Sequence, residues 1–558
     1  MSVATQKTVA SLMRKTLDRQ AAVARMKFRF KKNQVEQILL SYVRDGNSGP
    51  YGELVKILND CELSDDNYRI LLGDCLSHVV LLGRELKQLV DVLCNIEWVS
   101  RDEELVQLYC TFILSLVTAH TYHTPKVMAG LVKLFKVEGE NWDEEPCEKA
   151  LAKWSNIHTV IAQIVAIMPM TRDLLMQTVI EQFPYYKAGC YANRAYIHNL
   201  IWMTKYIPSL REQIMTAIIN RMVEMDVNIV DRNNQLQSDT IFEMEVDEYD
   251  EVSDTLDHCM LEMLKWFQDE RDPVLNIMCS VFEKVILPTH GIRYVQFLLL
   301  YVISINQQCA DRVFSNLWMV AAGLHGRGGG ALATRRTAAS HLAGLLARCV
   351  RVTKSRLINY FRTMADWCHS YITAAQESTA NDNTKAHGAF HAICHALFYL
   401  VAFKNHHLFM SKESLNFVES LNLPRLVTSS LNPLRTCPPQ VTRAFSSVTR
   451  SHQVVYCQAI IEKNARHTLQ AYSGVQYEEW FPYDPYKLPK SGKIIWPLCI
   501  EYKDWHNSYE DETQYTNRKR KLDPEDDDYL TPSPSQKHAS SLSNCISPGF
   551  RNCDALFS

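Results

Sequence analysis

Apolar residues recur along this chain at the three-and-four spacing that sets them on one face of a helix. In NQVEQILLSYV (33–43), Val35, Ile38, Leu39 and Tyr42 share a face. ELVQLYCTFILSLVTAH (104–120) is apolar nearly all round, which predicts a buried helix. YIHNLIWMTKYIPSLREQIMTAIINRMVEMDV (196–227) predicts two amphipathic helices, with Pro208 in the first turn of the second, a position that needs no N–H. The pattern returns at 273–287, 289–305, 308–320, 334–350, 355–372, 386–403 and 438–463, and strand-like alternation is almost absent. Helices of about 15–20 residues joined by short polar loops predict an all-α fold: an α-solenoid in which each helix pair buries its apolar face on its neighbours. No tetratricopeptide or ankyrin motif is present, and loose pairs of about 40 residues suit HEAT-like helical repeats.

Two stretches break the periodicity. Residues 231–257 are acidic and poorly periodic, which predicts a mobile acidic loop between helices. Residues 511–558 are charged and then Ser/Pro-rich, and cannot bury enough apolar surface to fold. The expected organisation is an N-terminal basic, partly ordered segment (1–32), the repeat solenoid (33–466), a C-terminal segment packing on the solenoid (467–510), and a disordered tail (511–558).

Composition changes little in this picture. The 558 residues carry a formal net charge of -3, so nucleic-acid binding would have to come from a local patch. The 17 cysteines include no Cys-x-x-Cys pair. No apolar signal core opens the chain, and its longest apolar run falls short of the ~20 residues needed to span a bilayer. A nuclear or cytosolic protein with reduced thiols and no membrane partner is expected.

Candidate chemistry concentrates in three places. AHGAFHAICHALFYLVAFKNHH (386–407) sets His387, His391 and His395 along one helical face. A zinc-protease pattern needs Glu directly after the first His, where Gly388 stands here, and Cys394 falls off the histidine line. The expected metal content is none, and Phe390, Cys394, Leu397 and Val401 are expected to pack repeat on repeat. GLHGRGGGALATRR (323–336) lacks the Gly-Lys-Ser/Thr end of a phosphate loop. Beyond it, 335–356 carries Arg335, Arg336, Arg348, Arg351, Lys354 and Arg356 with no acid among them, a candidate for non-specific DNA contact. In the tail, Arg518, Lys519, Arg520 and Lys521 form a candidate nuclear-import signal, and Thr531, Ser533 and Ser547 each precede proline. No nucleophile elbow, kinase set or informative carboxylate pair occurs, so no enzymatic activity and no cofactor are expected.

Four blocks together resemble one family: KVILPTHGIRYVQFLLLYV (284–302), AHGAFHAICHALFYLVAFKNHHL (386–408), the stretch 421–466 with Leu431-Asn432-Pro433-Leu434, and WFPYDPYKLPKSGKII (480–495). They are similar to the RNA polymerase I-specific transcription initiation factor family (TIF-IA, or Rrn-three), with weaker likeness through 181–186 and 196–229. The resemblance implies a HEAT-repeat protein without enzymatic activity that binds RNA polymerase I subunits. It implies a bridge to the promoter-bound core factor, a TATA-binding-protein-associated complex, at ribosomal RNA genes. It implies control by regulatory kinases and a nuclear, nucleolar location with shuttling to the cytoplasm. It implies DNA contact through the region matching 335–356. A Pro-Ser-Thr phosphosite of relatives aligns with Pro169-Met170-Thr171, leaving Thr171 as the modifiable residue, while the acidic segment 137–149 lacks the serine of relatives. A homodimer of the polymerase-free protein fits a solenoid surface. The competing class is a HEAT-type nuclear scaffold or transport adaptor unrelated to transcription.

Overall fold

The computed structural model describes residues 30–31, 33–60, 63–136, 139, 141–142, 145–229, 251–270, 272–324, 331–377, 387–468, 482–483 and 485–501. The chain divides into two compact units, 1–217 and 218–558. Both are built of helices stacked on their sequence neighbours, the α-solenoid architecture, and the described residues contain no strand.

The first unit holds α1 (Gln34–Asp45), α2 (Ser48–Asp60), α3 (Asp65–Ser77), α4 (Lys87–Leu93), α5 (Glu103–Ala119), α6 (Thr124–Lys133), α7 (Glu148–Ile167), α8 (Thr171–Glu181) and α9 (Cys190–Tyr206); α10 (Arg211–Asn228) carries the division between units. Pairings of α3 with α5, α5 with α7 and α6 with α8 show how each apolar stripe is covered. The Asp102 carboxylate accepts the Leu105 N–H at 2.8 Å and caps α5, with Glu103 and Glu104 at the positive end of the helix dipole. α5 is less buried than its composition predicts, because Gln107, Thr111 and Thr118 form an exposed stripe. Several polar residues of this core are paired. Arg194 stacks over Trp142 at 4.2 Å and donates to the Trp142 carbonyl, while buried His158 hydrogen-bonds Asn199 at 3.0 Å and Tyr206 at 2.8 Å.

The second unit continues with α11 (Glu251–Glu270), α12 (Asp272–Val281), a π-turn at Phe282–Ile286, α13 (Phe297–Ile305), α14 (Gln307–Ala322), α15 (Leu332–Arg348), α16 (Lys354–Glu377), α17 (Gly388–Phe403), α18 (Asn405–Phe409), α19 (Lys412–Ser420), α20 (Leu423–Val427), α21 (Pro439–Ser451), α22 (Gln458–Thr468) and α23 (Pro489–Ile495). α15 lies at its centre, packed between α14 and α17. Its buried face is rich in small residues (Ala338, Ala339, Ala343, Gly344, Ala347), which lets its neighbours approach closely.

Three sequence expectations are corrected here. The acidic loop expected at 231–257 ends sooner, because 251–257 are the first turns of α11: Glu251 and Asp254 favour a helix start, and Thr255, Leu256 and Asp257 are buried. Residues 231–250 lie outside the described residues. The helix expected over 289–305 begins only at Phe297. The buried Asp226 carboxylate takes the N–H groups of Arg293, Tyr294 and Val295 at 2.8–3.1 Å, and those amides then cannot serve a helix. The helix expected over 438–463 is two, broken near Gln453, which sits at φ 57. Of the N-terminal segment only Phe30 and Lys31 are described; Phe30 is buried and its N–H reaches Asn67 at 3.0 Å. No single helix among the described residues is long and apolar enough to cross a membrane.

Candidate functional site

The six basic residues of 335–356 do not form one surface. Arg348 is buried, its guanidinium 5.9 Å from the Phe403 ring centre. Arg335 is half-buried at the end of α14: its Nε donates to the Ala321 carbonyl at 3.1 Å beside Gly323, the left-handed residue that closes that helix. Burial lowers the Arg335 pKa, which Tyr371 partly offsets. Arg356 pairs with Asp311 and lies over Phe314 at 5.2 Å. Of the six candidates for DNA contact, Arg335, Arg348 and Arg356 are therefore buried or paired. Helical periodicity turned Arg348 inward, and the paired acid comes from a neighbouring helix, which a scan for acids within 335–356 could not show.

What remains exposed is the loop between α15 and α16, with Arg351 and Lys354, while Arg336 is half-buried. The structure adds residues the sequence reading left elsewhere. His406 and His407 on α18 are exposed near this loop. The His407 pKa is lowered by burial first, then by the charges of Lys404, His406 and Lys354. Lys404 is buried and pushed down to about 8, chiefly by burial and then by Arg348, with Cys349 opposing.

The histidine row has a structural occupation. Buried His391 meets the Leu431 carbonyl through Nε2 at 2.9 Å. Half-buried His395 meets the Pro433 carbonyl at 3.1 Å, and His387 meets the Tyr371 hydroxyl at 3.0 Å. The pKa values of His391 and His395 are both lowered, by burial first. These bonds grip the Leu-Asn-Pro-Leu turn on either side of Asn432, which adopts φ 43. Phe390, Cys394, Leu397 and Val401 are fully buried, as the packing reading expected.

Residues 482–483 and 485–501 form a strap across this unit. The Asp257 carboxylate accepts the N–H groups of Lys490 and Ser491 at 2.7 and 2.8 Å, and the Ser491 hydroxyl as well. Lys490 Nζ reaches Asp254 at 2.6 Å. Tyr483 is buried between Phe297 and His341, its hydroxyl 3.3 Å from His341 Nδ1, and Gln296 donates to the Pro482 carbonyl. The strap then pairs with the end of α15: Val350 N–H donates to the Leu498 carbonyl at 3.0 Å and Ile500 N–H to the Arg348 carbonyl at 2.7 Å. Asp254, Asp257 and Asp226 were missed by the sequence reading, where they look like ordinary helix or loop acids.

Thr171 is corrected as a phosphorylation candidate. It is buried in the first turn of α8, and its hydroxyl donates to the Met168 carbonyl at 2.7 Å. The tail candidates Arg518, Lys519, Arg520, Lys521, Thr531, Ser533 and Ser547 lie outside the described residues, as does most of the Gly-rich loop at 325–330.

The family model described as RNA polymerase I specific transcription initiation factor RRN3 matches residues 25–265 and 231–507. The RNA polymerase I-specific transcription initiation factor RRN3 of Mus musculus is 26% identical over 566 residues, spanning 89% of this chain and 84% of that protein. Its counterpart rrn3 in Schizosaccharomyces pombe is 24% identical over 78% of this chain and 79% of its own length. The crystal structure of RNA polymerase I transcription initiation factor Rrn3 is similar in fold, with a TM-score of 0.68 at 19% identity, covering 84% of this chain and 98% of that one.

Proposed function

The chain belongs to the RRN3 family of RNA polymerase I-specific transcription initiation factors, and on that premise we propose that it binds RNA polymerase I and bridges it to the promoter-bound core factor at ribosomal RNA genes. The family match, which runs through 25–507 and includes the blocks at 284–302, 386–408, 421–466 and 480–495, carries this reading. Membership sets aside the transport-adaptor alternative. The mechanism is bivalent docking: a repeat scaffold offers long surfaces, and holding two partners at once raises their effective concentration at the promoter. Exposed apolar side chains at the turn between α7 and α8, Met170 (84% exposed) and Ile167 (53%), are suited to a protein partner.

Phosphorylation regulates the factor in this reading, through Thr531, Ser533 or Ser547, each of which would gain near two negative charges. Thr171 would serve only if the start of α8 opened. Arg351 and Lys354 supply a small cationic spot for non-specific DNA contact. The protein acts in the nucleolus.

Affinity purification of the full chain from growing cells tests the core of this. RNA polymerase I subunits are expected to co-purify, and a Met170→Asp, Ile167→Asp variant to recover fewer of them. Recovery of no polymerase subunit, with and without phosphatase treatment, would overturn the reading.

A further inference from the structure

The pairing between the strap and the end of α15 brings two cysteines face to face. Cys349 and Cys499 form an isolated antiparallel bridge. Two hydrogen bonds flank them, Val350 N–H to the Leu498 carbonyl at 3.0 Å and Ile500 N–H to the Arg348 carbonyl at 2.7 Å. That arrangement makes Cys349 and Cys499 a non-hydrogen-bonded pair, the kind whose Cα atoms stand about 4.5 Å apart with both side chains on one face. This separation falls within the range a disulfide spans, roughly 4.4–6.8 Å between Cα atoms. Both backbones are extended, at φ -73, ψ 122 for Cys349 and φ -104, ψ 133 for Cys499. The buried Tyr483 hydroxyl reports the same convergence. Its pKa is raised well above the ordinary value by burial first, and then by both Cys349 and Cys499. Neither cysteine is in a disulfide in this structure; Cys349 is buried, with its sulfur 3.4 Å from the Ser304 hydroxyl, and Cys499 is half-exposed.

We propose that Cys349 and Cys499 are an oxidisable pair, closed by a peroxide into a cross-strand disulfide that ties the strap covalently to α15. The half-exposed Cys499 is the thiol a small oxidant reaches. Its sulfur attacks one oxygen of hydrogen peroxide, the O–O bond breaks, water leaves and a sulfenic acid remains. The Cys349 sulfur then attacks the Cys499 sulfur. The S–O bond breaks, a second water leaves carrying the Cys349 proton, and the S–S bond forms. Two thiols have given up two electrons and two protons, and one peroxide has become two waters. The bond spans 150 positions of sequence and closes the strap onto Asp257, Gly344 and His341. Detachment of 482–501 would then require reduction. This inference does not depend on the polymerase-binding reading.

A second close pair offers an internal comparison. The Cys368 and Cys394 sulfurs lie 3.7 Å apart, but both residues are fully buried between helices, out of reach of a solvent-borne oxidant. The test treats the purified full chain with hydrogen peroxide, blocks remaining thiols, digests without reductant and maps cross-linked peptides by mass spectrometry. The expected result is a Cys349–Cys499 cross-link that dithiothreitol reverses, an oxidised melting temperature several degrees above the reduced one, and loss of both effects in Cys499→Ser. Cys368→Ser is expected to keep the cross-link. A folded chain that yields no 349–499 peptide, or that yields 368–394 in its place, overturns the proposal.

Discussion

At the level of single residues, the histidines show how chemistry that looks like a site becomes packing. His158 and His341 are almost fully buried, and burial pushes both down to about 3. Unfolded histidine titrates near 6.5. The folded state therefore favours the neutral ring, and this contribution is complete above pH 6.5 and is lost as pH falls toward 3. A tenfold change in proton affinity corresponds to about 1.4 kcal/mol, so the two rings together can withdraw several kcal/mol. Melting temperature is expected to fall steeply between pH 6.5 and 4, and His341→Gln to flatten that slope. An equal slope in the variant would remove His341 from the account. Gly344 makes a second residue-scale case. A Cβ there would meet the Tyr483 ring at 2.6 Å, with Tyr483 itself buried and unable to swing aside. Gly344→Ala is expected to lower stability by roughly 1–3 kcal/mol in urea unfolding despite the better helix propensity of alanine.

Among elements, the lesson is where partners come from. Periodicity alone placed α1, α5, α9, α15, α16 and α17, because each buries a stripe its own spacing declares. It could not find the starts of α13 and α23, where distant carboxylates take the amides. Asp226 binds amides 67 to 69 positions away and Asp257 binds amides 233 and 234 positions away. It also could not see that Arg335 closes α14 or that His391 and His395 hold the turn around Asn432, since a helix face says nothing about which carbonyl will meet it. Asp257→Ala is expected to free the strap. Two buried amides and a hydroxyl would lose their acceptor, at about 2–4 kcal/mol. Limited proteolysis should then cut within 482–501 while α15 and α17 stay protected; a strap as resistant as in the parent protein would argue against the role given to Asp257.

For the whole molecule, family membership was legible from short blocks whose prolines and glycines punctuate matching helices, whereas surface charge was not. Six cations lie within the 22 residues 335–356 with no acid among them. Folding hides or pairs Arg335, Arg348 and Arg356 and leaves Arg351 and Lys354 exposed, with His406 and His407 brought in from α18. The Arg351→Glu, Lys354→Glu double variant is expected to weaken DNA binding and to shrink its salt dependence by about 0.9 in log–log slope for each phosphate no longer neutralised, leaving polymerase recovery unchanged. Unaltered DNA affinity at several salt concentrations would show that this spot does not touch DNA.

The strap also sets an order of events during synthesis. Gln296 waits 186 residues for Pro482, and Asp257 waits 234 for Ser491. Until the ribosome has delivered residue 500, the second unit carries a buried acid without its donors and an open slot over Gly344, a state that recruits chaperones or aggregates. A chain stopped anywhere before residue 482 would be caught in that state permanently. The final stretch of the described protein thus acts as a proofreader of its own length: only a chain read through to its strap can close.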